Sequence, residues 1–451
     1  MSALRRTLGA VEAFGFSMSM IAPTMAMAFG TTLMAQAAGR SVPLAFLLGA
    51  VAVAFVGLSF VAFGGRVAHA GSAYAYVAQA FGPRAGFVAG WALLLAYVVL
   101  MTAVTALTGN FVAIGLAHVG IEVPGLWLVV GAAVSVAATS FAWNDMRVAG
   151  RLMLLLEAIS VAAILGLSIV IVTRAPLSAL PLAPDAEHGW SGVGYGIVFA
   201  VLSFAGFEGA ATLGEEAHNP KRAIPLAVMA TIAVTGLFFV FVSYAQVVGF
   251  GLDQVQALAQ SEAPLDDLST KFISGGFAVF FDFAAAISGL ACVIGGLSAC
   301  ARLLYALGRA GLSPGLGKAH PRHGTPSRAI LAVGALNLVF LIVLAGPVGV
   351  VAYAGDAAAL GTLTLILVYM SVTGGEMVDA LRNGRVVGSI VGFLGTMLLL
   401  WPLWNSVYPV PDWPGNLWPY LIAAWLAAGL LLVRVLPSLA ETDIAASEAA
   451  E

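Results

Sequence analysis

Apolar residues in this chain run in long continuous stretches instead of alternating or recurring on one face of a helix. Leu44 to Phe63, Ala329 to Ala345 and Leu417 to Val435 are examples, and a helix of about 20 residues crosses the hydrocarbon layer of a bilayer. Cut at polar and Gly/Pro breaks, the stretches predict twelve spanning helices, over 11–37, 43–63, 85–116, 125–142, 148–173, 192–214, 224–250, 274–306, 328–346, 350–372, 387–407 and 417–436. The connections are short, so residues 1–436 read as one transmembrane domain of a polytopic, all-α membrane protein, with 437–451 as a short cytoplasmic tail.

Composition sharpens this picture. Of 451 residues, 61% are hydrophobic and only 9% charged, against about 45–50% and about 25% in a soluble domain. Arg5 and Arg6 ahead of an apolar stretch imitate a cleavable or twin-arginine signal. Glu12 interrupts that would-be signal core, and the stretch runs on to about Ala37, so it reads as the first span. Short cytoplasmic loops of membrane proteins collect Lys and Arg. With twelve spans and the N-terminus inside, only Arg40, Arg174 and Lys271 of the 19 basic residues fall outside. Both termini are therefore expected in the cytoplasm, and the protein in the cytoplasmic (inner) membrane.

The net charge of −3 carries no basic or acidic block, which points away from nucleic acid. The expected partners are the lipid bilayer and a small-molecule substrate, with no obligatory protein partner implied. Cys292 and Cys300 share one apolar run without metal or redox spacing. HExxH and P-loop motifs are absent, and the six histidines lie in loops or at span ends. The chain reads as neither an enzyme nor a cofactor or metal protein.

Two spans are interrupted. In span 1, Pro23 follows Ile21-Ala22 and precedes Thr24; a mid-helix proline removes a hydrogen bond and pushes the preceding residue out of the helical region. A break near Ala22 would leave Pro23 in the first turn of a second half-helix, whose free N–H groups favour a carboxylate. A simple proline kink is the plainer alternative. Span 6 carries Ser203-Phe204-Ala205-Gly206-Phe207-Glu208-Gly209, with two glycines bracketing an acid. Spans 1 and 6 are five apart, which is where an inverted repeat places equivalent broken helices around a midplane site. The predicted halves are 11–173 and 192–372, with 387–436 as two peripheral helices.

A central charge costs about 2.5–3.5 kcal/mol on insertion scales, so Glu208 calls for a reason. It would bind a substrate ammonium, carry a coupling proton, or hydrogen-bond a neighbouring helix as a structural acid. Glu157 in span 5 and Asp282 in span 8 are further coupling candidates, and Ser288 and Ser298 offer oxygens for a sodium ion or for helix packing. Phe199, Phe204 and Phe207 would close over a substrate or simply pack. The 52 glycines imply close helix approach.

Three motifs resemble one family. Leu202 to Pro225, reading LSFAGFEGAATLGEEAHNPKRAIP, is similar to the span 6–7 signature of the amino acid, polyamine and organocation (APC) transporter superfamily. His69 to Tyr76 with Phe81 to Trp91 resembles its loop between spans 2 and 3, and Ala301 to Gly311 its segment after span 8. The resemblance implies a LeuT-like fold of five plus five inverted spans and alternating access. It also implies a substrate site at Ile21, Ala22, Pro23 and Thr24, which meet a carboxylate, and at Ser203, Phe204, Ala205, Gly206 and Phe207, whose carbonyls meet an amine. Because acids at a helix C-terminus oppose its dipole, Glu215 and Glu216 are expected either to pair with a cation, Arg66 or Arg302, or to lie in a plain solvated loop.

Two departures qualify that inheritance. Many members carry a Gly-Ser-Gly type sequence where this chain has Ile21-Ala22-Pro23-Thr24, and a proline there resembles the putrescine-importing branch. Some proton-driven members use a span 5 lysine where this chain offers Glu157 and Ser160. The expected function is uptake of an amino acid by ion-gradient-driven symport, with the proton preferred over sodium because Glu208 sits in a dry, broken helix. The alternatives are a polyamine or organic-amine importer, an exchanger, or, in a different class, a non-transporting membrane sensor.

Overall fold

The structure is a computed structural model, and it describes residues 8–66, 72–143, 147–213, 217–320, 325–436 and 439, with the backbone alone for 147–153. Among these residues there are helices and no strands. The first segment comprises α1 (Ala10–Ile21), α2 (Pro23–Met25), a π turn (Ala26–Gly30) and α3 (Thr31–Ala38), and a 3₁₀ turn at Gly39–Ser41 leads into α4 (Val42–Gly64). Then follow α5 (Ala73–Phe81), α6 (Pro83–Ala117), α7 (Leu126–Trp143), α8 (Arg147–Arg174), α9 (Gly189–Phe204) and α10 (Gly209–Thr212). The chain continues through α11 (Pro220–Phe250), α12 (Val255–Gln260), α13 (Pro264–Phe272), α14 (Gly276–Arg309), α15 (Ser327–Phe340), α16 (Gly346–Val348), α17 (Val350–Arg382), α18 (Val386–Asn405) and α19 (Trp418–Val435).

Ten of the described helical stretches are long and apolar enough to cross a membrane. One of them, Ala10–Gly64, is 55 residues long and covers both of the first two expected spans. As a rod it would measure about 80 Å at 1.5 Å per residue, far more than a bilayer core of about 30 Å. It is divided at Ala22 and again at Gly39, whose φ of 56° ends α3. Expected span 6 takes the form of α9, shorter than a full crossing, followed by a break and the four-residue α10. Helices α5, α12 and α13 lie in connections where hydropathy gives no sign of them.

The core is a bundle in which α6 packs against α14 and α17, and α4 against α11. Small residues permit this closeness: a Cβ on Gly109 of α6 would come within 2.1 Å of the Trp127 carbonyl of α7. Asn337 of α15 ties three helices together, pairing with Thr102 and Thr105 of α6 and Ser135 of α7 at 3.0–3.1 Å. Helices α18 and α19 lie at the periphery. Val387, Ile390, Phe393, Leu421 and Leu430 on them are exposed, as a lipid-facing surface requires. Helix α19 is fastened to α6 by Trp91 and Trp425, stacked at 4.5 Å, each donating its indole N–H to the other's carbonyl.

Candidate functional site

Ala22 takes a left-handed conformation (φ 49°, ψ 66°) that ends α1, and Pro23 opens α2. A proline has no N–H to lose in a first helical turn. At the second break α9 ends, Ala205 turns extended (ψ 127°), and Gly206 adopts φ 113°, a region that side chains disfavour. A Cβ on Gly206 would stand 2.7 Å from the Met20 Cβ, so the glycine also lets the two breaks touch. Ser17 joins them, its Oγ donating to the Phe207 carbonyl and accepting the Ala210 N–H, both at 2.9 Å.

The buried acids sit on the freed backbone. Glu208 is fully buried and accepts from the Gly206 N–H at 3.0 Å, the Tyr97 O–H at 2.9 Å and the Tyr369 O–H at 2.8 Å. Neutral donors from α6 and α17, with no cation among the described residues, thus meet its polarity. Glu157 of α8 accepts the Thr24 N–H at 3.0 Å, and Ser288 of α14 accepts the Met25 N–H at 3.3 Å. The N-terminal end of the second half-helix, a natural anion position, is therefore occupied by this chain's own carboxyl group. Cys292 of α14 donates its S–H to the Met20 carbonyl at 2.9 Å, one of the acceptors left unpaired at the end of α1.

Between the breaks and helices α6, α14 and α17 lies a cavity of about 100 Å³. Of the substrate-site residues expected from the sequence, Ile21, Ala22, Ser203 and Ala205 line it. Pro23, Thr24, Gly206, Glu208, Glu157 and Ser288 are not among its lining residues, although Ser288 holds the backbone of Met25, which is one. Phe204 packs on Phe239 at 5.2 Å, Phe207 on Phe60 and Tyr369 at 5.4 Å, and Phe199 on Tyr195 at 5.4 Å; these rings belong to aromatic clusters, with Phe204 and Phe207 fully buried. Asp282 lies beside His118 and Asp266 instead of at the breaks. Phe29, Leu33, Met101, Val104, Leu107 and Ala354 are among the other lining residues, and as apolar residues on apolar helices they carried no sequence signal.

Glu215 and Glu216 lie outside the described residues. Arg66, one of their expected partners, binds Glu376 at 2.6 Å and also Asp379, because the end of α17 brings both acids to the end of α4. Arg302 stands over the Phe16 ring at 5.6 Å.

The family model described as amino acid permease matches residues 14–402. The branched-chain amino acid permease BcaP of Lactococcus lactis subsp. cremoris is 27% identical over 403 residues, covering 82% of this chain and 83% of that protein. The low-affinity putrescine importer PlaP of Escherichia coli K12 is 28% identical over 356 residues, 74% of each chain. A methylthioribose transporter of Bacillus subtilis is 24% identical over 448 residues, 95% of this chain and 93% of that protein.

Proposed function

The chain belongs to the amino acid permease family, and on that premise we propose that it carries an amino acid with an apolar side chain across the cytoplasmic membrane by alternating access. In this reading there are twelve spans. Ala10–Gly64 supplies the first two, α9 with α10 supplies the sixth, and both termini are cytoplasmic. Residues 11–173 and 192–372 form inverted repeats, and 387–436 lie outside them. A proton gradient drives uptake, with no cofactor. The observation that carries the substrate assignment is the cavity: it meets two broken helices, and apart from Ser203 and Cys292 its side chains are apolar. The irregular backbone around Ala22 and Ala205 offers the polar contacts, and Phe29, Leu33, Met101 and Leu107 receive the side chain.

One observation favours a second reading. Glu157 already fills the anion position at Thr24, so a substrate lacking a carboxylate, such as an organic amine, would find that position satisfied. Thermal unfolding of the detergent-purified protein separates the two, since a ligand at about 100 times its Kd stabilises by about 2.7 kcal/mol. Branched-chain amino acids are expected to raise the Tm, and their decarboxylated amines to leave it unchanged. Stabilisation by the amines alone would replace the first reading with the second.

A further inference from the structure

At one end of the bundle, away from the substrate cavity, three ionisable side chains from separate elements converge. His118 caps the end of α6, Asp266 lies in the loop helix α13, and Asp282 sits on α14 about two turns from its start. One ligand atom from each lies within 4.8 Å of the others, and the His118 Nε2 is 3.9 Å from an oxygen of each carboxylate. Gly115 eases the approach of α6 to α14, since a Cβ there would stand a tight 3.2 Å from the Asp282 Cβ.

These acids lack donors. Asp282 is completely buried and both its carboxylate oxygens are without a hydrogen-bond partner; Asp266, 7% exposed, leaves its Oδ2 in the same condition. An unpaired buried acceptor costs about 1–3 kcal/mol, more when charged, and two adjacent acids repel when both ionise. Among the described residues no lysine or arginine pairs with either acid. A cation bound between them would remove both penalties together.

We propose that His118, Asp266 and Asp282 form a binding site for a divalent transition-metal ion of the zinc type. The imidazole argues against magnesium and calcium, which prefer all-oxygen shells, and with two carboxylates it suits Zn²⁺. Zinc ligands at about 2.0–2.2 Å in a tetrahedron stand about 3.3–3.6 Å apart, so the two 3.9 Å separations from His118 close with a shift of about half an ångström. His118, with a side chain 34% exposed, provides the entry side.

The site has a mechanical consequence. The loop bearing α12 and α13 rests on the second half of the broken first span, where Thr32 donates to the Ser261 carbonyl and Gln36 to the Ala259 carbonyl, each at 2.8 Å. A metal ion clamps this loop to α6 and α14, both of which line the cavity, and so hinders any opening at that end.

The test uses the full-length, tag-free protein in detergent, titrated with Zn²⁺ after chelator treatment and, in parallel, with Co²⁺ as a visible probe. Zn²⁺ is expected to raise the Tm by several degrees, and Co²⁺ to give the intense d–d absorption of a low-coordinate site. His118→Ala, at a partly exposed position that leaves the core intact, and Asp266→Asn should each remove at least half of the shift and the absorption. An unchanged Tm in the wild-type protein overturns the proposal and leaves the two acids sharing a proton. An equal shift in both variants overturns it as well, by placing the metal elsewhere, for which Asp185 and His188 are the control positions.

Discussion

Glu208 shows how a buried acid is accommodated with no counter-charge among the described residues. An ionised carboxylate only accepts hydrogen bonds, and three donors converge on this one, among them the Gly206 N–H that the helix break sets free. Glu208→Gln keeps the shape but turns an amide N–H₂ toward groups that are themselves donors. Leaving a buried donor unsatisfied costs about 1–3 kcal/mol, and the variant should lose stability of that order in thermal or denaturant unfolding. If Glu208 is also the proton carrier, the same variant reconstituted in vesicles will exchange substrate but will not accumulate it against a gradient. Undiminished accumulation with the pH dependence of the original protein would leave Glu208 a purely structural acid. Its apolar surroundings made it conspicuous in the sequence, whereas Tyr97 and Tyr369, more than a hundred residues away in either direction, gave no sign that they complete its shell.

The broken helices are stabilised by each other. Met20, in the last turn of α1, meets Gly206 of the second break, and Ser17 satisfies the Phe207 carbonyl within that break and the Ala210 N–H of α10. Gly206→Ala must hold a side chain at φ 113° and place its Cβ 2.7 Å from that of Met20. Backbone strain of this kind costs about 1–3 kcal/mol, and the contact adds to it. We expect a lower Tm together with weaker substrate stabilisation, because the Ala205 carbonyl region moves with the break. A variant with unaltered Tm and unaltered ligand response would show that the breaks are not in register as described. The proline and the paired glycines marked both breaks in the sequence; that the breaks touch follows only from how α1 packs against α10.

Across the whole molecule, one end is held by an ion-pair cluster that joins α4, α17 and α18. Arg66 and Arg385 each reach both Glu376 and Asp379, with Arg385 at 2.7 Å and 2.6 Å. Glu376 pulls the Arg385 guanidinium further toward its charged form, against a smaller opposing effect of burial. The Glu376 side chain is 1% exposed, whereas the two arginines are 31% and 38% exposed. Replacing either arginine alone by alanine should cost only about 1 kcal/mol, since the other still faces Glu376. The double variant strands a buried carboxylate, for which about 3–5 kcal/mol is typical. Unfolding of the two single variants and the double variant therefore gives strong non-additivity; additive losses would mean that the acids are hydrated after all.

Membrane residence, the all-α class and both helix interruptions were legible in the sequence because they depend on local quantities: the transfer cost of each residue and the backbone conformations open to Pro23 and Gly206. The same local terms located Glu208, Glu157 and Asp282 as costly groups. Tertiary structure alone decided what each acid faces. It placed Glu157 on the Thr24 N–H, Glu208 between two tyrosines, and Asp282 beside His118 and Asp266. It also drew the cavity wall from α6 and α17 and sent Phe204 and Phe207 into aromatic clusters. In a bundle where nearly every helix is apolar on all sides, hydrophobicity does not distinguish the face that meets a substrate from the face that meets another helix or lipid. Close packing between distant segments makes that choice.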